Sequence, residues 1–273
     1  MNFQLQTPDL KHRIRSYLRT IGQVFVLQFK QLAIDGFIIF TVLVQPLLIA
    51  IMGLWMLRGQ RGNYAVFIVI GSGMTGLWSS LLYISGSSIN VERWLGTLEM
   101  LVGTPTPLAV TVIGKTLSNV VMSLSSMVLG YVLAALIFRF PLTLARPLLF
   151  VISLFFTVIA FSAFGLLIGP FFAINLQMQR WVNALEFPMY ILAGFMFPIA
   201  LLPGWTTPIS YALAPYWAAL ALHATSSGGI PLSQVFLSWG MMLLFSAIYL
   251  IASGWLFRVM VHRARVDATL SLQ

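Results

Sequence analysis

Glu92 and Glu99 hold the densest acidic chemistry in a chain that has only six Asp and Glu residues. They lie in the segment Asn90 to Lys115, about two helical turns apart, so a helix over 91–102 places both carboxylates on one face. Leu95, Leu98 and Leu101 recur at spacings of three and give that helix an apolar edge. Such a helix can press its edge against a partner while offering carboxylates to Arg or Lys. The same residues also suit an ordinary surface loop with solvated acids, and residue types alone leave both readings open. Glu186 is the other carboxylate of note. It opens a long uncharged stretch and follows Asn175, Gln177, Gln179 and Arg180. It either reaches an aqueous interface or, with Arg180, makes a polar contact along an internal path or a seam between subunits.

The chemistry that is missing is equally informative. There are no cysteines, which removes disulfides, thiolate nucleophiles and Cys-based metal sites. His12, His223 and His262 are scattered, no H-E-x-x-H occurs, and no nucleophile has a base beside it. No G-x-x-x-x-G-K-[ST] phosphate loop is present, so ATP hydrolysis by that chemistry must come from another polypeptide. Gly71-Ser-Gly73-Met-Thr-Gly76 matches G-x-G-x-x-G, but it sits inside an apolar run, with no ribose-binding acid at the required distance. Small residues for close helix packing explain it better, and Gly165 to Gly169 reads the same way.

The elements that must carry these residues follow from composition. Hydrophobic residues make up 59% of the chain and charged ones 8%, too few to cover a water-facing surface. Charges cut the chain into apolar runs, each needing roughly 20 residues to cross a bilayer. Six spans result, at about 36–57, 64–90, 112–137, 148–169, 182–202 and 234–257. Both termini then share a side. Lys11, Arg13, Arg15, Arg19, Lys30, Arg93, Lys115, Arg180, Arg258, Arg263 and Arg265 fall on that side, and Arg58, Arg61, Arg139 and Arg146 on the other. Excess basic residues mark the cytoplasmic face, so both termini are placed inside. The net charge of +9 therefore reads as membrane orientation rather than nucleic-acid binding. Trp55, Trp94, Trp181, Trp205 and Trp255 fall near span ends, where interfacial anchors belong.

Two segments flank this core. Leu10, Ile14, Tyr17, Leu18, Ile21, Phe25 and Phe29 form a stripe, with Lys11, Arg15 and Arg19 largely off it. The pattern predicts an amphipathic helix over 10–31 along the inner membrane surface. The segment 203–231 holds Pro203, Pro208, Pro215 and Pro231, yet its middle, Ile209 to Ala224, is apolar. It is too broken for a span and too apolar for a free loop. Short helices dipping back into the outer leaflet fit it, provided that protein or a water cavity surrounds them. No short apolar core ending in a small-residue site opens the chain, which argues against a cleaved signal peptide.

The run Glu92-Arg93-Trp94-Leu95-Gly96-Thr97-Leu98-Glu99-Met100-Leu101-Val102-Gly103-Thr104-Pro105 closely resembles the cytoplasmic signature of the type-2 ABC permease family, E-(R/K)-x-x-G-T-L-E-x-L-x-x-(S/T)-P. Gly194-Phe-Met-Phe-Pro198, Leu202-Pro203 and Ala214-Pro215 are similar to the last third of that family. The resemblance implies one permease domain over 1–273, an all-α inner-membrane protein that is not itself an enzyme. It implies a coupling helix within 91–107, seated in a groove of a cytoplasmic ATPase subunit. Glu92, Arg93, Gly96, Thr97, Leu98, Glu99, Leu101, Thr104 and Pro105 would be its contact residues. The 10–31 helix would connect to the same subunit, and 203–231 would be re-entrant. Two permeases, identical or paralogous, and two ATPases would form an exporter, with ATP and Mg on the partner and no cofactor on this chain. A secondary transporter or channel is the alternative. It usually shows midplane ionisable groups or paired broken helices, and the spans here hold almost none apart from Glu186. An intramembrane enzyme would need facing His, Asp or Glu at membrane depth, and these are missing.

Overall fold

A computed structural model describes residues 10–56, 64–104, 106–138, 144–175, 177 and 182–266. Among them the regular structure is entirely helical. Helix α1 (Leu10–Ile34) carries the amphipathic stripe and extends three residues past the expected end. Asp35 then stops it and starts the next helix. Its Oδ1 accepts hydrogen bonds from the backbone N–H of Phe37 (2.9 Å) and Ile38 (3.2 Å), capping α2 (Gly36–Ile39). A wide turn of π-helix over Phe40–Val44 leads into α3 (Gln45–Met56).

Helix α4 (Tyr64–Ser80) is the centre of the bundle. Met74, Leu77 and Trp78 are almost wholly enclosed, as are Leu81 and Leu82 just beyond it. Around them pack α7 (Leu108–Phe138), α8 (Pro147–Ile174) and α11 (Ala214–Ser227). Small residues permit the close approach that apolar lipid by itself does not drive. A Cβ on Gly71 would lie 2.1 Å from the Phe195 carbonyl oxygen, and one on Gly73 would lie 2.6 Å from Met127 Cβ. A Cβ on Gly165 of α8 would meet Thr116 of α7 at 2.5 Å. Gly71 and Gly73 of the G-x-G-x-x-G match thus serve packing.

Helix α12 (Leu232–Val266) runs beside α8. Two polar contacts pin the pair: Trp239 Nε1–H donates to Ser153 Oγ (2.9 Å), and Ser253 Oγ–H donates to the Leu166 carbonyl (2.8 Å). Helix α1 leans on the first half of α7, where a Cβ on Gly114 would come within 2.9 Å of the Ile21 carbonyl.

Among the described residues, five helical stretches are long and apolar enough to cross a membrane: Gly36–Met56, Ala65–Trp94, Leu108–Val132, Pro147–Ile174 and Leu232–His262. They match five of the six expected spans, and the second runs on to Trp94. The stretch expected at 182–202 has a different form. Helix α9 (Val182–Leu192) has 11 residues, about 16 Å at 1.5 Å per residue and so about half a bilayer core. Gly194 (φ 68°) turns the chain out of it. Short 3-10 turns follow at Ile199–Leu201 and Gly204–Thr206, then α10 (Thr207–Tyr211) and α11. The physical reason lies in the sequence: Gly194, Pro198 and Pro203 interrupt an apolar run that length alone presents as a span. Trp181, one of the expected anchors, and residues 178–180 lie outside the described residues.

Helix α11 is enclosed along nearly its whole length. Gly228 ends it in the left-handed conformation (φ 72°). The Arg146 guanidinium crosses to this end, donating to the carbonyls of Ile230 (3.2 Å) and Gly228 (3.4 Å). The backbone N–H of Ala145 and Arg146 bind the carbonyls of Ser226 and Thr225. The middle of the 203–231 segment is therefore ordered core.

Gly71→Ala should destabilise the protein by about 1–3 kcal/mol, because a methyl group there meets backbone and no side chain can move aside. Gly240→Ala, at a helical position with open space around the new methyl group, should be neutral or stabilising by up to about 1 kcal/mol. Thermal unfolding of both variants in detergent checks the contrast.

Candidate functional site

The signature segment hangs between α4 and α7 as two short helices, α5 (Ser88–Trp94) and α6 (Leu98–Gly103). The sequence predicts one helix over 91–102, and the structure corrects this. Gly96 has φ 70°, a conformation that non-glycine residues adopt only under strain. The Thr97 N–H reaches the Glu92 carbonyl (3.0 Å) and the Gly96 N–H reaches the Arg93 carbonyl (3.1 Å). Those two bonds, five and three residues back, make the Schellman termination of a helix with glycine one place past the cap.

The break separates the two acids that one continuous helix would have aligned. Glu92 turns inward. One carboxylate oxygen pairs with the Lys115 ammonium of α7, and the other accepts a hydrogen bond from the Thr97 hydroxyl. Both ion-pair partners are largely covered, at 15% and 18% side-chain exposure. Glu99 stays exposed in the first turn of α6, where a carboxylate suits the positive end of the helix dipole.

The leucines also part company. Leu98 is buried with Ile89, Leu108, Phe257 and Met260, and Leu101 packs against the edge of that cluster. Leu95 points outward at 69% exposure, beside Trp94 at 68%, and Met100 is exposed at 75%. Arg93 reaches across to the end of α8, where Nη2–H donates to the Ala173 carbonyl (3.4 Å). The C-terminal end of a helix dipole favours that cation. Thr104 closes α6 by donating from its hydroxyl to the Leu101 carbonyl (2.7 Å). Pro105 lies outside the described residues. The outcome is a segment whose Trp94, Leu95, Glu99 and Met100 side chains are exposed, held in place by Leu98, the Glu92–Lys115 pair and Arg93. A depression of about 440 Å³ adjoins it, between the start of α7 and the end of α12, with Thr104, Thr106, Arg258 and His262 in its walls.

Glu186, on α9, is only 3% exposed. Its neighbours are hydroxyls. Ser79 donates to Oε1 at 2.5 Å, Tyr190 to Oε1 at 2.5 Å, and Tyr83 to Oε2 at 3.0 Å. The Ser79 and Tyr190 hydroxyl oxygens lie 2.6 Å apart, so either can donate to the other in place of its bond to Glu186. The reading of Glu186 as a carboxylate reaching the interface gives way to an enclosed polar cluster linking α9 to α4. Arg180, its expected partner, lies outside the described residues.

Sequence reasoning missed Lys115 as the partner of Glu92 and missed all three hydroxyl partners of Glu186. A signal existed for the second, because Ser79 and Tyr83 lie four residues apart on one face of the second apolar run, and Tyr190 lies four residues after Glu186. Among the described residues, no group of three His, Asp or Glu side chains could hold a metal. Coupled hydrogen-bonding partners depart from additivity by about 0.5–3 kcal/mol. Glu186→Gln and Tyr190→Phe should therefore do so when combined, measured as thermal stability of the single and double variants. Strict additivity would mean that the two side chains act independently.

No curated protein matches the chain. A family profile described as "ABC-2 type transporter" matches residues 19–225, which is most of the chain and includes the whole α5–α6 segment. With its apolar helices and its outward-facing signature segment, the chain belongs to the ABC-2 type transporter family and is a multi-pass membrane subunit of an ABC transporter, a permease without catalytic chemistry of its own.

Proposed function

We propose that this chain is the permease half of an ATP-driven exporter in the inner membrane, paired with a second permease and with two cytoplasmic ATPase subunits. The observation that carries the reading is the outer face of α5 and α6. Trp94, Leu95 and Met100 expose apolar surface in the same segment as the exposed Glu99, while Leu98 is buried and Glu92 is ion-paired. Solvent alone gives no reason for such a face, whereas an ATPase groove with apolar walls and a basic residue does. ATP binding and closure of the ATPase pair would push this face, and the Glu92–Lys115 tie would pass the push to α7. Nucleotide and Mg belong to the partner.

Six spans, with both termini inside, complete the proposal. The sixth crossing would be made by α9 with the turns that follow it, and α10 with α11 would form the re-entrant outer segment. Two facts support this: α11 ends against Arg146, on the face away from the basic cluster, and α11 is packed among α4, α8 and α12. Helix α1 would lie at the inner interface and contact the ATPase. A secondary transporter needs no ATPase and gives the exposed α5–α6 face no role.

Co-purification separates these readings: tagged permease should bring down an ATPase subunit. Glu99→Ala should keep the permease folded but weaken that association by about 1–3 kcal/mol, a charge-assisted hydrogen bond's worth. Full ATPase retention and full stimulation in this variant would remove Glu99 from the coupling role. In this Cys-free chain, Met100→Cys should label with an impermeant thiol reagent only in inside-out vesicles. Labelling in intact cells would overturn the orientation.

A further inference from the structure

The oxygens around Glu186 form a closed ring. Glu186 Oε1, Ser79 Oγ and Tyr190 Oη stand 2.5, 2.5 and 2.6 Å apart along its three sides. Oxygens come this close only with a hydrogen between them: O–H···O bonds run at about 2.5–3.0 Å, and bare lone pairs repel. Each side therefore holds a hydrogen. Ser79 and Tyr190 bring one hydroxyl hydrogen each, which fills two sides of the three. Tyr83 adds nothing to the ring, because its hydroxyl donates to the other carboxyl oxygen, Oε2, at 3.0 Å. The Thr75 carbonyl, 3.0 Å from Ser79 Oγ, is a further acceptor and supplies no hydrogen.

We infer that Glu186 is a proton-binding site: with α9 seated against α4, its carboxyl carries the third hydrogen of the ring, on Oε1. Each ring oxygen then donates once and accepts once, and Oε2 is a carbonyl oxygen facing Tyr83. Burial favours the same form. Glu186 is 3% exposed, and an ionised carboxylate taken out of water is costly unless a charge pairs with it. Among the described residues no Lys, Arg or His pairs with Glu186. The titratable groups set against it are Tyr83, on the π-helical turn Leu81–Ser85 that follows α4, and Tyr190, on α9 itself. Helix α10 also packs on α9, and its one titratable residue, Tyr211, stacks on Trp217 instead. Two elements build the site, since Glu186 and Tyr190 come from α9 and Ser79 from α4. Drawing α9 away opens both sides that end on Ser79 and lets water reach the carboxyl. A Glu side chain in water gives up its proton at a pH of about 4.3. At neutral pH the proton then passes to water and the carboxylate stays behind. Parting of α9 from α4 and release of a proton are one event, and re-seating takes a proton back.

Infrared spectroscopy of the full-length permease in an alkyl maltoside, a detergent without carbonyl groups, reads the proton directly. At neutral pH the wild-type spectrum minus that of Glu186→Gln should show the C=O stretch of a protonated carboxyl, shifted down in heavy water. The Gln side chain keeps the shape of the ring and offers an N–H in place of the acid O–H. Tyr83→Phe removes the donor to Oε2, so it should keep that band and move it to higher frequency. Unfolding in sodium dodecyl sulfate at neutral pH, under weak buffering with an indicator dye, should release about one proton more from the wild type than from Glu186→Gln. A carboxylate band in place of the acid band, as pairing with Arg180 would produce, overturns the inference. So does an acid band that Tyr83→Phe leaves unmoved, or equal proton release from the two proteins. None of these measurements needs an ATPase or a substrate. Failure to co-purify an ATPase would therefore sink the exporter reading and leave this result standing.

Discussion

Helices inside a bilayer gain little from hiding apolar surface, because the surrounding lipid is as apolar as a leucine. Contact must come from fit, and this molecule obtains fit by removing side chains from α4 and its neighbours. Gly71 admits the Phe195 carbonyl, Gly73 admits Met127, and Gly165 lets α8 reach Thr116. Everything else is arranged around the helix these glycines make approachable. Serine and threonine hydroxyls on α4 bond back to carbonyls three or four residues earlier, as Ser72 does to Val69 and Thr75 to Ser72. Their polarity is thus met within the helix itself, and α4 tolerates full enclosure.

The second organising contact is the Glu92–Lys115 pair with the left-handed Gly96 beside it. One carboxylate near the other in sequence serves a wholly different purpose. Glu92 ties the signature segment to α7, and Glu99 stays exposed. The glycine makes this division possible, because a helix continued through position 96 would carry both acids on one side. Buried apolar contacts from Leu98 and the reach of Arg93 to α8 hold the segment in one place.

Periodicity and charge showed most of the bundle. Five spans stand near where uncharged runs place them, and the N-terminal stripe does form a helix. The expectation at 182–202 went astray because run length ignores Gly194, Pro198 and Pro203, whose backbone preferences divide the run. The helix over 91–102 went astray for a related reason. Gly96 costs a helix about 1 kcal/mol relative to Ala, so local propensity registers only a mild weakness there, whereas the turn depends on hydrogen bonds to Glu92 and Arg93. Partners distant in sequence stayed hidden altogether. Lys115 read as a marker of sidedness, and nothing local joins Glu186 to residues more than a hundred positions earlier.

The Phe195 carbonyl seated over Gly71 has a mechanical meaning. A carbonyl lodged in that notch opposes sliding of the turn after Gly194 along α4, and Tyr190, Ser79 and Glu186 form a second latch, from α9 itself to the same helix. Two latches at different depths also resist rotation of α9 about α4. Leu185, Phe187 and Ile191 of α9 stand exposed, outside both latches.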